Sequence, residues 1–206
     1  MKKKLGFVVC MLISAIFVGC GSDIQGQPSG VVKVSQSNYD DGGLKEEVPY
    51  NKESRIHGTK RTFFPNGQLR TEEGYKNGKK DGIYKEYYEN GQLKIEASYK
   101  DNKYEGGYKE FQRDGILLAE INYRNGKFYG NYKIYHENGN LGEEGRYNEE
   151  GKKDGEFKVY NRDGALMSEE GYKNGIKNGK FVTYKSGGEI EKEQTFDNGI
   201  LVKNPR

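Results

Sequence analysis

Apolar and polar positions alternate along this chain in short runs, and nothing in it keeps a helical period. In LKIEASY (Leu93 to Tyr99) the apolar residues Leu93, Ile95, Ala97 and Tyr99 occupy every second place. That is the period of a strand with one shielded face. The run before it, IYKEYY (Ile83 to Tyr88), is aromatic and is separated from it by Glu89, Asn90, Gly91 and Gln92. Two short strands around a glycine turn predict a hairpin.

The same hairpin recurs. Gly42, Gly67, Gly91, Gly115, Gly139, Gly164 and Gly188 stand 25, 24, 24, 24, 25 and 24 residues apart. Two places after each glycine is Leu44, Leu69, Leu93, Leu117, Leu141, Leu166 or Ile190. Three further on is a glutamate, from Glu47 and Glu72 to Glu193, and three beyond that an aromatic, Tyr50, Tyr75, Tyr99, Tyr123, Tyr147, Tyr172 or Phe196. A second glycine column, Gly58, Gly82, Gly106, Gly130, Gly155 and Gly179, precedes the first by nine residues. Self-similarity of this length marks a repeat array in which each unit stacks on its neighbours. The single extra residues in two intervals fall at Asn51 to His57 and Asn148 to Asp154, where a loop absorbs them.

The predicted fold is all-β: an elongated, single-layer antiparallel meander of tandem hairpins of ~24 residues, with about 13 strands in residues 41–206. Asn-Gly and Asp-Gly pairs such as Asn90-Gly91 and Asp114-Gly115 predict two-residue hairpin loops with both residues at positive φ. Counting outward from such a loop sets Tyr88 opposite Leu93, Lys85 opposite Glu96 and Tyr84 opposite Ala97. The same count pairs Arg61 with Glu72, Lys109 with Glu120, Lys133 with Glu144 and Lys158 with Glu169. The glutamate column is thereby a set of cross-strand ion pairs, each contributing roughly 0.2–1 kcal/mol and opposing slipped registers. In the last copy Val182, not a lysine, faces Glu193.

Alternation puts Tyr84, Tyr88, Leu93, Ile95, Ala97 and Tyr99 on one face, and equivalent residues of other units extend it. The candidate partner-binding residues are Tyr84, Tyr99, Tyr108, Tyr123, Tyr132, Tyr147, Phe157, Tyr172 and Phe181. No helix is expected to cover this face, and extended apolar surface of this kind marks interaction sites. Tyrosine suits such a surface because it joins contact area to a polar tip. A second aromatic row, Phe63, Tyr87, Phe111, Tyr135, Tyr160 and Tyr184, shares the other face with the ion pairs and is expected to pack on their aliphatic stems.

Composition sharpens this picture. Only 33% of residues are hydrophobic and 32% are charged, with 30 glycines and 17 tyrosines, which suits a thin open β structure rather than a thick core. Met1 to Lys4 are basic at their end, Leu5 to Val18 are apolar, and Gly19-Cys20 follows. The apolar run is shorter than the ~20 residues a membrane helix requires, and it predicts a signal peptide over residues 1–19. Phe17-Val18-Gly19-Cys20 resembles the lipobox of bacterial lipoproteins, with Phe17 where leucine is usual. That resemblance implies lipid attachment at Cys20, anchorage in the bacterial cell envelope and, with Gly21-Ser22 rather than an aspartate directly behind the cysteine, the outer membrane of a diderm. Residues 20–40, rich in Gly, Ser and Gln, are expected to be a flexible tether, with a short strand at Val31 to Val34. Removing Lys2, Lys3 and Lys4 leaves 31 of the 34 basic residues against 31 acidic ones, so no basic surface for nucleic acid is expected.

Cys10 leaves with the leader and Cys20 carries lipid, which leaves no disulfide or thiolate metal site. The chain has none of the phosphate-loop, dinucleotide, zinc-protease or serine-hydrolase motifs. His57 and His136 stand alone in sequence. No catalytic residue, metal or cofactor, and no small-molecule substrate, is expected. Seven equivalent glutamates offer no asymmetry with which to raise one pKa for acid-base work.

The unit, clearest in DGIYKEYYENGQLKIEASYKDNKYEG (Asp81 to Gly106), resembles the bacterial variant of the MORN repeat, the type gathered in the YwqK family of antitoxins. The resemblance covers about Gly42 to Gly199. It implies an elongated meander and a non-enzymatic role. The expected function is therefore a membrane-tethered repeat lipoprotein that binds a protein, a toxin or a surface protein, as a scaffold or immunity module. The alternative is an envelope protein that binds or acts on glycans through the aromatic and glutamate face.

Overall fold

The computed structural model describes residues 17–18 and 26–203, and their strands form one antiparallel sheet in chain order. The strands are β1 (Phe17–Val18), β2 (Lys33–Asn38), β3 (Leu44–Tyr50), β4 (Gly58–Phe63), β5 (Leu69–Lys76), β6 (Lys79–Tyr87), β7 (Leu93–Lys100) and β8 (Lys103–Phe111). They continue as β9 (Leu117–Arg124), β10 (Lys127–Tyr135), β11 (Leu141–Tyr147), β12 (Gly155–Tyr160), β13 (Leu166–Lys173), β14 (Ile176–Tyr184), β15 (Ile190–Asp197) and β16 (Ile200–Lys203). The predicted meander is present, with β1 and β16 added to the strands expected and the short strand expected at Val31 to Val34 found as β2, from Lys33 to Asn38.

The loops inside the hairpins differ from the expected kind. Tyr88 N–H donates to Gln92 O at 2.8 Å and Gly91 N–H donates to Tyr88 O at 2.8 Å. Only Gly91, at φ 84°, is left-handed there. The loop is thus three residues, Glu89-Asn90-Gly91, with the glycine at the position where a side chain would be strained. Tyr87, not Tyr88, faces Leu93, and the register then shifts between Glu86 and Tyr87. Lys94 is the extra residue on β7, a bulge that hands back the place taken by the longer loop. Lys85 therefore still faces Glu96 and Tyr84 still faces Ala97. Leu93 shares Tyr87's face, where simple alternation had set it beside Tyr84.

Two-residue loops with both residues at positive φ do occur, on the opposite side of the sheet, where one unit passes to the next. Lys100 faces Lys103 across Asp101 and Asn102, at φ 47° and 69°. Arg124 likewise faces Lys127 across Asn125 and Gly126, at φ 51° and 79°. The longer connections close at Tyr50 with Ile56 and at Tyr147 with Lys153. Asn51 and Asn148 fill those loops, each accepting two backbone N–H bonds on Oδ1.

Residues 20–40 are not a free tether throughout. Lys33–Asn38 is strand β2, paired with β3. Gln27 clasps the backbone of one residue of β4, donating from Nε2 to Thr59 O at 3.0 Å and accepting Thr59 N–H on Oε1 at 2.8 Å. Val31 is buried, and a side chain at Gly58 would strike Gln27 and Val31. Strand pairing in the sheet thus reaches back before residue 41, to β2 and β1. Residues 1–16 and 19–25, with Cys20 and most of the leader, lie outside the described residues.

Candidate functional site

Strand pairing sorts the sheet into two faces. On one, a column runs Tyr84, Ala97, Tyr108, Ile121, Tyr132, with Phe157 and Phe181 in later units. Large and small residues alternate along it, and Ala97, Ala119, Ile121 and Phe157 are buried within this face. Beside that column Tyr99, Tyr123, Tyr147, Tyr172 and Phe196 form a second row. The two rows mesh edge to face, as at Tyr84–Tyr99 (6.0 Å between centroids), Tyr132–Tyr147 (5.7 Å) and Phe157–Tyr172 (5.7 Å). Rings at these separations attract beyond their buried area. The nine rings predicted to meet a partner are thus brought together as one strip. Phe157 is buried in it, and the others are half-exposed.

Two further rings belong to the strip that were not among the nine. Between β7 and β8 the pairing jumps from Tyr99 with Tyr104 to Ala97 with Tyr108, because Gly106 at φ 91° opens a bulge. Tyr104 is thereby set between Tyr99 and Tyr123, 4.5 and 4.9 Å from their centroids. Phe128 repeats this between Tyr123 and Tyr147, at 5.2 and 5.0 Å. In flanking units the position belongs to lysine. Lys80 lies 5.1 Å from Tyr84 and 5.3 Å from Tyr99, Lys153 lies 4.2 Å from Phe157, and Lys177 lies 4.8 Å from Phe181. Ammonium over ring replaces ring against ring. The signal was legible as a column two residues before the second glycine column: Lys80, Tyr104, Phe128, Lys153, Lys177.

Several tyrosine hydroxyls of this face are held by glutamates. Tyr84 donates to Glu86 at 3.0 Å, Tyr108 to Glu110 at 2.9 Å and Tyr172 to Glu170 at 2.8 Å. Burial first, then the carboxylate, pushes the phenols of Tyr75, Tyr132 and Tyr172 up to about 12. Burial also raises Tyr84, Tyr99 and Tyr108. These groups are neutral hydrogen-bond donors at any ordinary pH.

The other face carries the charge ladder. Lys85 Nζ is 3.4 Å from Glu96 Oε1, Lys109 is 3.2 Å from Glu120, Lys158 is 3.3 Å from Glu169, and Arg61 Nε is 3.0 Å from Glu72. Lys133 faces Glu144 in register but makes no ion pair with it; Glu144 Oε1 instead accepts the hydroxyl of Tyr160 at 2.9 Å. Tyr184 donates to Glu169 in the same way at 2.8 Å. The second aromatic row therefore reaches the glutamates with its hydroxyls as well as packing beside the ladder. The odd last copy has a partner too, for Lys180 Nζ lies 3.2 Å from Glu193 while Val182 is buried.

Both ends of the strands are laced from unit to unit. Asn66 and Asn90 each accept their own loop's N–H on Oδ1 and donate from Nδ2 to a carbonyl of the next loop, Glu89 O at 3.2 Å and Arg113 O at 3.3 Å. Asp114 has no amide hydrogen, and there Gln112 Nε2 makes the bond, to Glu137 O at 2.7 Å. His136 is explained by the same lacing, 2.9 Å from Tyr160 O, and His57 contacts Asn77. Among the described residues no group of three or more His, Cys, Asp or Glu side chains could hold a metal ion.

Three segments of the chain, residues 56–77, 80–101 and 153–174, match the MORN repeat variant. Each runs from the strand pair of one hairpin to the two-residue turn that leaves it. No curated protein gives a match.

Proposed function

We propose that this chain is a non-catalytic binding or scaffold protein whose repeat face engages a protein partner, held at a bacterial membrane through lipid on Cys20. One observation carries the reading: a single-layer sheet leaves a continuous strip of half-exposed rings with no second layer of the described chain packed over it. Pre-packed aromatics lose little freedom on binding and supply large contact area, the character of interface hot spots. The bacterial MORN-variant likeness supports a toxin or a surface protein as the partner, in the manner of an antitoxin or immunity protein. The outer membrane of a diderm is the location this reading assigns.

The array supplies its own test. Tyr104 and Phe128 interrupt a position that is lysine at Lys80, Lys153 and Lys177, so Tyr104→Lys with Phe128→Lys keeps a side chain the repeat already accommodates. Full-length protein immobilised in detergent is expected to capture a partner from extracts of the cells that make it. The double variant is expected to lose that capture at least tenfold while its melting curve stays close to the parent's. Undiminished capture by a folded variant overturns the aromatic strip as the binding surface.

A further inference from the structure

In the first units the acids of the aromatic face carry cations of their own. Glu73 lies 3.1 Å from Lys80, whose ammonium also stands 5.1 and 5.3 Å from the rings of Tyr84 and Tyr99. Glu86 lies 2.8 Å from Lys94, and Glu46 lies 2.6 Å from Lys60. Lys80 and Lys94 belong to two sequence columns. One runs Lys80, Tyr104, Phe128, Lys153, Lys177, and the other Lys45, Arg70, Lys94, Leu118, Gly142, Met167, Glu191. The hairpins β8–β9 and β10–β11 receive a cation from neither, having Tyr104 with Leu118 and Phe128 with Gly142.

The acids persist there. Glu110 on β8 and Glu143 on β11 stand in one cross-strand row, Glu110–Ala119–Ile134–Glu143. Three strand spacings set them about 14 Å apart. Both are half-exposed, and neither makes an ion pair among the described residues. Each accepts a tyrosine hydroxyl, from Tyr108 at 2.9 Å and from Tyr132 at 3.5 Å. Lys94 on the adjoining β7 is hydrogen-bonded to Glu86 and acts on Glu110 only at longer range. Glu170 also lacks an ion pair, but the rings facing it, Phe157 and Phe181, have Lys153 and Lys177 over them. Uncompensated negative charge thus collects where Tyr104 and Phe128 add their rings to the strip.

We propose that this middle stretch takes a basic segment of the protein partner, its lysine or arginine heads on Glu110 and Glu143 and their stems across Tyr108 and Tyr132. Resting on the protein-binding reading of the strip, the site adds the sign of the partner's charge. Lys80, held by Glu73 and by two rings at once, is the chain's own version of the contact. Two cations four residues apart in an extended segment are separated by about 13 Å, close to the spacing of the two carboxylates. Carboxylates beside rings favour such a segment over a neutral or acidic one of the same shape.

Titration of the ¹⁵N-labelled full-length chain in nonionic detergent with the peptide acetyl-Lys-Gly-Gly-Gly-Lys-amide tests this. Saturable shifts in the millimolar range are expected at Glu110, Ala119, Ile134 and Glu143, weakening as salt rises. Glu110→Gln with Glu143→Gln is expected to weaken binding at least fivefold. Glu96→Gln with Glu120→Gln, which removes the same charge from the other face, is expected to leave it unchanged. Equal binding of the peptide with norleucine in place of lysine, equal weakening by the two pairs of substitutions, or shifts confined to the other face would each overturn the site. Partner capture lost in Tyr104→Lys with Phe128→Lys but kept in Glu110→Gln with Glu143→Gln would overturn the basic segment and leave the strip as the binding surface. Capture kept in both would overturn the strip, and this site with it.

Discussion

The ring of Phe157 occupies the space where a side chain on Gly145 would stand. Gly145 lies on β11 and Phe157 on the adjacent β12, and Phe157 is 2% exposed. The column that alternates Tyr84, Ala97, Tyr108, Ile121 and Tyr132 reaches its smallest member where its ring is most buried. Gly145→Ala is expected to destabilise the protein by about 1–3 kcal/mol through overpacking, and Phe157→Ala by about 3–5 kcal/mol. Urea unfolding followed by tyrosine fluorescence measures both; a neutral Gly145→Ala would show that the ring can move aside.

The two loop classes respond differently to loss of asparagine. Asn125 sits at φ 51°, so Asn125→Ala is expected to lose roughly 1–2 kcal/mol from backbone strain alone. Asn138 is not left-handed, and its amide donates to Arg162 O at 2.7 Å, a bond Asn140 shares at 2.8 Å. Asn138→Ala is expected to lose about 0.5–1.5 kcal/mol, the contribution of an ordinary hydrogen bond. A reversed order in paired melting curves would contradict the turn assignment.

The ladder is worth little rung by rung. Lys85 and Glu96 are 32% and 43% exposed, and a double-mutant cycle on them is expected to give a coupling of about 0.2–1 kcal/mol that falls with salt. A coupling indistinguishable from zero in low salt would reduce the ladder to a device of register.

Alkali should act through the tyrosines. Tyr75, Tyr132 and Tyr172 ionise near 12 in the folded protein, above the ordinary value of 10.0. Below about pH 10 both states are protonated and stability is flat; between about pH 10 and 12 only the unfolded chain releases these protons, so stability falls as pH rises. Thermal midpoints measured alongside tyrosinate absorbance should decline together over that window. Early ionisation, near pH 10 in folded protein, would place these hydroxyls in water.

Lipidation has its own check. Under the proposed lipid anchor, Cys20→Ser is expected to abolish acylation and leave the leader uncleaved, read by mass spectrometry of the N-terminus. A parent chain whose N-terminus carries no acyl group would remove Cys20 as the anchor.

Most of the fold was legible because a repeat states its rule many times: the glycine, leucine, glutamate and aromatic columns locate each strand. The Lys85–Glu96 pairing came out of a loop count that was wrong in detail. Asn90-Gly91 and Asn125-Gly126 are the same dipeptide, yet the first ends a three-residue loop and the second is the whole of a two-residue one. The difference lies in how many residues the flanking strands keep in register, which composition does not reveal. Tyr104 and Phe128 were hidden for a related reason. The bulge at Gly106 adds two residues to β8, which leaves Tyr104 on the face of Tyr108 but moves it along the strand to a place between Tyr99 and Tyr123 that a hairpin count without the bulge does not give.

Each strand of this sheet is hydrogen-bonded only to the one before it and the one after, and the lacing of Asn90 to the next loop follows the same order. Drawn out by its two ends, such a chain would open as a zipper opens, one hairpin at a time and each under modest force. A chain built this way would lengthen in steps of a single unit and re-form when the pull is released.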